Sequence, residues 1–176
     1  MFEIIRVGPP PGRPRLTAPS GLADGDFEKI ARELGTLPFK ARKTGFVAAR
    51  EARKREHVDT YWNGKETENV AQPGDFVVTS LTPTKSVLRD GDGKANIYVI
   101  SRAKFAKLYV PDAGKTEFGD VYRSISVVDA IFLAGGFDIL APWGKPQSAE
   151  SGYVLKSGSE IYGNSKDTFE QTYEMP

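Results

Sequence analysis

Two stretches of the chain carry one aromatic spacing, and this repetition constrains the fold more than any other feature. Tyr98 is followed seven residues later by Phe105 and four after that by Tyr109; Phe169 and Tyr173 follow Tyr162 at the same intervals. Polar text lies between, Ser-Arg-Ala-Lys at 101–104 and Ser-Lys-Asp-Thr at 165–168, and each copy ends near a proline, Pro111 and Pro176. Upstream, Gly74-Asp75-Phe76-Val77-Val78 lies against Ser151-Gly152-Tyr153-Val154-Leu155, and Trp62-Asn63-Gly64-Lys65 against Trp143-Gly144-Lys145. Gly45–Ala49 can be laid on Ser126–Ala130. The features recur in one order, which a chance match of a single motif does not produce. The expectation is an internal duplication into two modules, 44–111 and 124–176, each of four short strands closed by a helix of one or two turns.

The rest of the chain fits short strands. Gly and Pro number 18 and 12 among 176 residues, a turn-rich fraction, and 39% of the chain is hydrophobic. Val58–Trp62 and Thr67–Ala71 flank Asn63-Gly64, a dipeptide suited to a tight hairpin. Asp75–Leu81 and Asn96–Ser101 are β-prone, and Asp90-Gly91-Asp92-Gly93 reads as a turn, since it lacks the twelfth-position acid of a calcium loop. Gly135-Gly136 reads as a second hairpin turn. Residues 1–43 read as an extension: a strand at Phe2–Val7, an extended Pro9–Pro11 arm, and a helix at Asp24–Leu34. Phe27, Ile30, Ala31 and Leu34 give that helix one apolar stripe, Asp24 or Asp26 can cap it, and Gly35 ends it. Residues 112–123 read as a linker. The fold class expected is α+β, mainly β: two small related antiparallel modules, SH3-like or PUA-like partly open barrels.

The composition also limits the chemistry. There is no cysteine and one histidine, His57, which excludes disulfides, thiolate metal sites, Cys nucleophiles and multi-His centres. No phosphate-cradling Gly-rich motif and no nucleophile elbow occurs, so no cofactor and no metal is expected. Asp59, Glu66 and Asp75, with His57, are the weak catalytic candidates; solvated hairpin carboxylates and a surface histidine are the alternatives. The net charge of +1 conceals one basic segment at 40–57, which includes Arg42, Lys43, Arg50, Arg53, Lys54 and Arg55. Clustered cations of this kind contact phosphates or form a solvated face. The first apolar run stops at Val7 and no stretch approaches a membrane span, so a cytoplasmic protein without a membrane partner is expected.

The run Pro73-Gly74-Asp75-Phe76-Val77-Val78, followed by Tyr98 and the Phe105…Tyr109 ending, resembles the bacterial and phage PGDYG proteins. The resemblance covers about 60–110, and 137–176 more loosely, where Glu150-Ser151-Gly152-Tyr153 replaces the Pro-Gly-Asp-aromatic turn. It implies a small β-rich module found in mobile-element settings, with no activity to carry over. Gly64-Lys65-Glu66-Thr67-Glu68 ahead of Gly74-Asp75 is more weakly similar to ASCH/PUA-like RNA-binding barrels, with Asn69 near the place of their arginine.

The function expected is non-enzymatic binding of an unknown protein or small polar ligand. Trp62, Asn63, Lys65, Trp143 and Lys145 are the candidate surface, because turn tips bearing Trp and Lys offer stacking and charge together. Two core tryptophans are the alternative. Nucleic-acid binding through 40–57 and a small hydrolase or transferase using the hairpin carboxylates are the competing functions. The N-terminal arm packs on its own domain or on a neighbouring subunit.

Overall fold

The structure is a computed structural model that describes residues 1–175; Pro176, the expected end of the second module, lies outside them. The chain opens with β1 (Glu3–Val7), β2 (Arg13–Ala18), α1 (Asp26–Leu34) and β3 (Phe39–Lys43). It continues through β4 (Phe46–Glu51), β5 (Glu56–Tyr61), β6 (Lys65–Ala71), β7 (Phe76–Ser80) and β8 (Ile97–Ile100). Next come α2 (Arg102–Leu108), β9 (Tyr109–Thr116), β10 (Gly119–Ser124), β11 (Val127–Leu133), β12 (Phe137–Leu140) and β13 (Pro146–Ala149). It closes with β14 (Gly152–Ser157), β15 (Glu160–Ser165), α3 (Lys166–Thr172) and β16 (Tyr173–Glu174). The protein is mainly β, and among the described residues no sheet closes into a barrel.

The chain divides into two compact units, residues 1–43 with 127–176, and residues 44–126. These are not the consecutive modules expected. The supposed linker, 112–123, is largely strand, in β9 and β10. The second unit, 44–126, holds a five-stranded sheet in the order β8-β7-β4-β10-β9 and the β5–β6 hairpin. The first unit holds a five-stranded sheet in the order β15-β14-β11-β3-β16 and a four-stranded sheet, β1-β2-β12-β13.

The two five-stranded sheets share their register. Val78 pairs with Ala49 and Tyr98 in one, as Leu155 pairs with Ala130 and Tyr162 in the other. Arg123 pairs with Phe46 and Ser124 with Tyr109, as Arg42 pairs with Val127 and Lys43 with Tyr173. The strand in fourth place comes from a separate segment in the first unit, β3, and from the hairpin that ends the continuous segment in the second, β10. β3 precedes β4 in sequence yet pairs with β11; β10 precedes β11 yet pairs with β4.

The repeated aromatics build the same core in each unit. Phe105 is buried and stacked on Phe76 at 4.1 Å; Phe169 is buried and stacked on Tyr153 at 3.9 Å. The Tyr98 and Tyr109 hydroxyls lie 3.2 Å apart, and those of Tyr162 and Tyr173 3.4 Å. Ser101 and Ser165 cap α2 and α3, each hydroxyl accepting from a backbone N–H three residues on.

Two local expectations are corrected. Neither Asp24 nor Asp26 caps α1: Gly25 is the N-cap at φ 89°, and the Asp26 carboxylate accepts from the Ala23 N–H at 2.7 Å. Gly135-Gly136 is not a hairpin turn but the corner where the chain leaves one sheet for the other. β12 pairs in parallel with β2, so close that a Cβ on Gly135 would lie 2.6 Å from the Pro14 carbonyl. Arg15, 17% exposed at its side chain, locks this corner; it donates to the Asp138 carboxylate and to the carbonyls of Gly135, Phe137 and Ala149.

Candidate functional site

The basic segment does not act as one patch. Lys40 pairs with Asp129 at 3.0 Å and Arg42 with Glu174, both in the first unit. Desolvation pushes the Lys43 ammonium below its usual range, although part of its side chain is exposed. Arg50 forms a two-pronged pair with Glu56, which holds the Glu56 carboxyl below and the Arg50 guanidinium above their ordinary values.

Arg53, Lys54 and Arg55 differ. They are exposed, and none has an ion pair among the described residues. Their loop follows Ala52, which is buried. The Ala52 N–H donates to the Asp75 carbonyl at 2.7 Å and its carbonyl accepts from the Gly74 N–H at 2.8 Å. The Pro73-Gly74-Asp75 turn is therefore the clamp beneath the cationic loop. The Asp75 carboxylate is itself spent on the Gln72 N–H at 2.9 Å.

Arg53 and Lys54 stand at a cavity of about 710 Å³ within the second unit. Its walls include Arg50 and Glu51 of β4, Phe76 of β7, and Asp120 and Tyr122 of β10. The acids there have counterions: Glu56 has Arg50, Glu51 has Arg102, and Asp120 has Lys115 at 4.0 Å. The charge left over is positive and belongs to Arg53 and Lys54. Phe76 is covered by Phe105 on one side and has Arg102 5.9 Å from its ring centre, so it supplies apolar wall and no free stacking face.

The Trp turns are exposed: Trp62 at 40% and Trp143 at 54%, so neither is a core tryptophan. They belong to different units. Trp143 packs its ring 5.7 Å from Tyr162. Asn63 is engaged internally, its backbone N–H donating to the Asp90 carboxylate and its side-chain Oδ1 accepting from the Gly91 N–H. The Asp90–Gly93 turn is thus a brace for the hairpin tip. Lys65 is taken by Glu68 and lies 3.5 Å from Asp59, whereas Lys145 is exposed with no ion pair among the described residues.

Of the carboxylate candidates, Asp59 is bonded to His57 at 2.7 Å, and Glu68 lies across the hairpin from it. The donor atoms of these three residues fall within 4.8 Å of one another, with the Lys65 ammonium already serving both carboxylates. Glu66 is exposed, and Asp59, Glu66 and Asp75 are not among the residues lining the cavity. The basic segment includes Arg50, Arg53 and Lys54; Asp120 and Tyr122 escape a sequence reading that takes 112–123 as linker, and Glu56 and Phe76 carry no local signal beyond their strands.

No protein-family model, curated protein or solved structure matches the chain. No helix among the described residues is long and apolar enough to cross a membrane.

Proposed function

We propose that the chain is a non-enzymatic binding protein whose second-unit cavity takes a small anionic ligand such as a phosphate- or carboxylate-bearing compound. The observation that carries this is the pair of exposed cations, Arg53 and Lys54, with no close ion pair among the described residues, at the edge of a space of about 710 Å³. That size is ordinary for a small-molecule site, and every acid beside it has a counterion of its own. Isothermal titration of the full chain with inorganic pyrophosphate tests it. Saturable binding is expected, weakened about tenfold or more in Arg53→Ser/Lys54→Ser, as loss of a charge-assisted hydrogen bond implies. Absent binding, or equal affinity in that double variant, ends the proposal.

Nucleic-acid binding is the second reading, favoured by Arg55 extending the exposed cations to three in a row. Three phosphate contacts give log affinity a slope of about −2 to −3 against log salt for a single- or double-stranded oligonucleotide. An affinity indifferent to salt removes it.

The shared strand order and register support reading the chain as an internal duplication, and with it the PGDYG resemblance, in which Pro73-Gly74-Asp75 clamps the cationic loop. The PUA-like detail, the cytoplasmic setting and the phage or mobile-element origin belong to the same proposal. The hydrolase reading gains no support from Asp59 and Asp75, which are occupied by His57, Lys65 and the Gln72 N–H.

A further inference from the structure

The first unit is assembled from two separated segments, 1–43 and 127–176, and the chain that connects them is the whole of the second unit. The bonds between the segments are dense. β3 pairs with β11 and β16, and β2 with β12. Gly135 donates to the Pro14 carbonyl at 2.8 Å and Leu16 to the Gly136 carbonyl at 3.1 Å. Phe27 and Ile30 of α1 share a core with Ile131, Leu133 and Val154. Glu28 pairs with Lys156, and Lys40 with Asp129.

None of these bonds depends on how residue 43 is joined to residue 46. The junction is Thr44-Gly45, with Gly45 at φ 121° and nothing within 4 Å of where its side chain would begin. The first unit's five-stranded sheet is already completed by a strand, β3, that is separated in sequence from the other four by the whole of residues 44–126. Nothing in the pairing distinguishes a strand donated by the same chain from one donated by another.

We propose that residues 1–43 form an exchangeable arm whose alternative acceptor is a second copy of this chain. In the exchanged pair each arm completes the partner's first unit, retains every bond named above, and changes backbone at Thr44-Gly45, where the one backbone bond at stake is that from the Ser124 N–H to the Gly45 carbonyl, 3.0 Å. The second unit is one uninterrupted run of chain and has no such arm to donate. The exchange becomes competitive when the concentration of chains approaches the effective concentration of a tethered segment, on the order of a millimolar.

The full chain has no cysteine, so one engineered pair reports unambiguously. Lys40→Cys with Asp129→Cys places thiols on directly paired positions of β3 and β11. The protein is denatured, refolded under reducing conditions at about 1 μM or about 1 mM, then oxidised and run on a non-reducing gel. The low concentration is expected to give monomers with an internal disulfide, and the high one a disulfide-linked dimer enriched at least tenfold. His57→Cys with Val70→Cys, paired within the second unit, should stay intrachain at both concentrations. Gly45→Val, strained at the closed junction and relaxed in an extended one, should raise the dimer fraction further. Monomers alone at both concentrations overturn the proposal, and so does equal cross-linking through the second-unit pair. Light scattering of the cysteine-free chain refolded at the same concentrations decides the matter independently should a cysteine variant fail to fold.

Discussion

The two five-stranded sheets have the same strand order and register, yet their equivalent outer positions carry opposite chemistry. In the second unit Glu51 pairs across the ladder with Phe76, and Asp120 with Ala49. At the matching positions of the first unit Phe132 pairs with Tyr153, and Phe39 with Ala130. There the rings meet, Phe132 and Tyr153 at 5.0 Å and Phe39 and Tyr153 at 6.0 Å, with Phe132 41% exposed. One backbone therefore presents a charged cavity in one unit and an aromatic shelf in the other. Register fixes which residues are neighbours, and their identities alone decide what the neighbourhood binds.

The inner faces also differ. The first unit buries Leu16, Phe27, Ile30, Phe137 and Ile139 from its arm, helix and second sheet against its five-stranded sheet. The second unit has two smaller clusters there, Ala52, Val58, Ala71 and Val77 beneath the hairpin and Ala48, Leu81 and Val121 beside them.

The sharpest test of the equivalence is also the most damaging. Phe105→Ala and Phe169→Ala should each cost about 3–5 kcal/mol by denaturant unfolding, and by similar amounts, because both rings are buried in the same aromatic stack. A loss below about 1 kcal/mol at one of them would break the comparison, since a buried Phe truncated in a tight core cannot be so cheap. Gly163→Val is next. It writes the residue of the second unit, Val99, into the first, but a Cβ there would sit 2.5 Å from the Phe137 ring. The expected cost is about 3 kcal/mol, and a neutral result would show that the two inner faces are interchangeable. Smallest are the caps: Ser101→Ala and Ser165→Ala should each cost about 1 kcal/mol in thermal melts. Unequal values would show that one short helix is held by its packing and the other by its cap.

Local chemistry made much of this fold legible. The stripe Phe27, Ile30, Ala31, Leu34 and the terminal Gly35 marked α1, and Asn63-Gly64 marked the β5–β6 turn, where both residues adopt positive φ. The strand exchange was not legible. β3 offers the same alternation of side chains to either sheet, so the sequence contains no local signal for which one it joins. β9 and β10 were hidden for another reason. β9 buries little beyond Tyr109, so it shows no alternating hydrophobic pattern, and its Asp, Gly and Lys look like loop text. The candidate site followed from that loss. Arg50, Arg53 and Lys54 are adjacent in sequence and were visible as charge, while Asp120 and Tyr122 reach the cavity only through a pairing separated by the whole unit.

The Arg15 lock carries a consequence for biosynthesis. Its acceptors lie on residues 135–149, so the guanidinium leaves the ribosome more than a hundred residues ahead of them. Residues 44–126 are continuous and can close as soon as they emerge, whereas the first strands made must wait for the last. During that interval α1 and β2 present Leu16, Phe27 and Ile30 without the core that will cover them. The core around these side chains is completed only by residues 127–161, so their burial follows synthesis of the whole second unit.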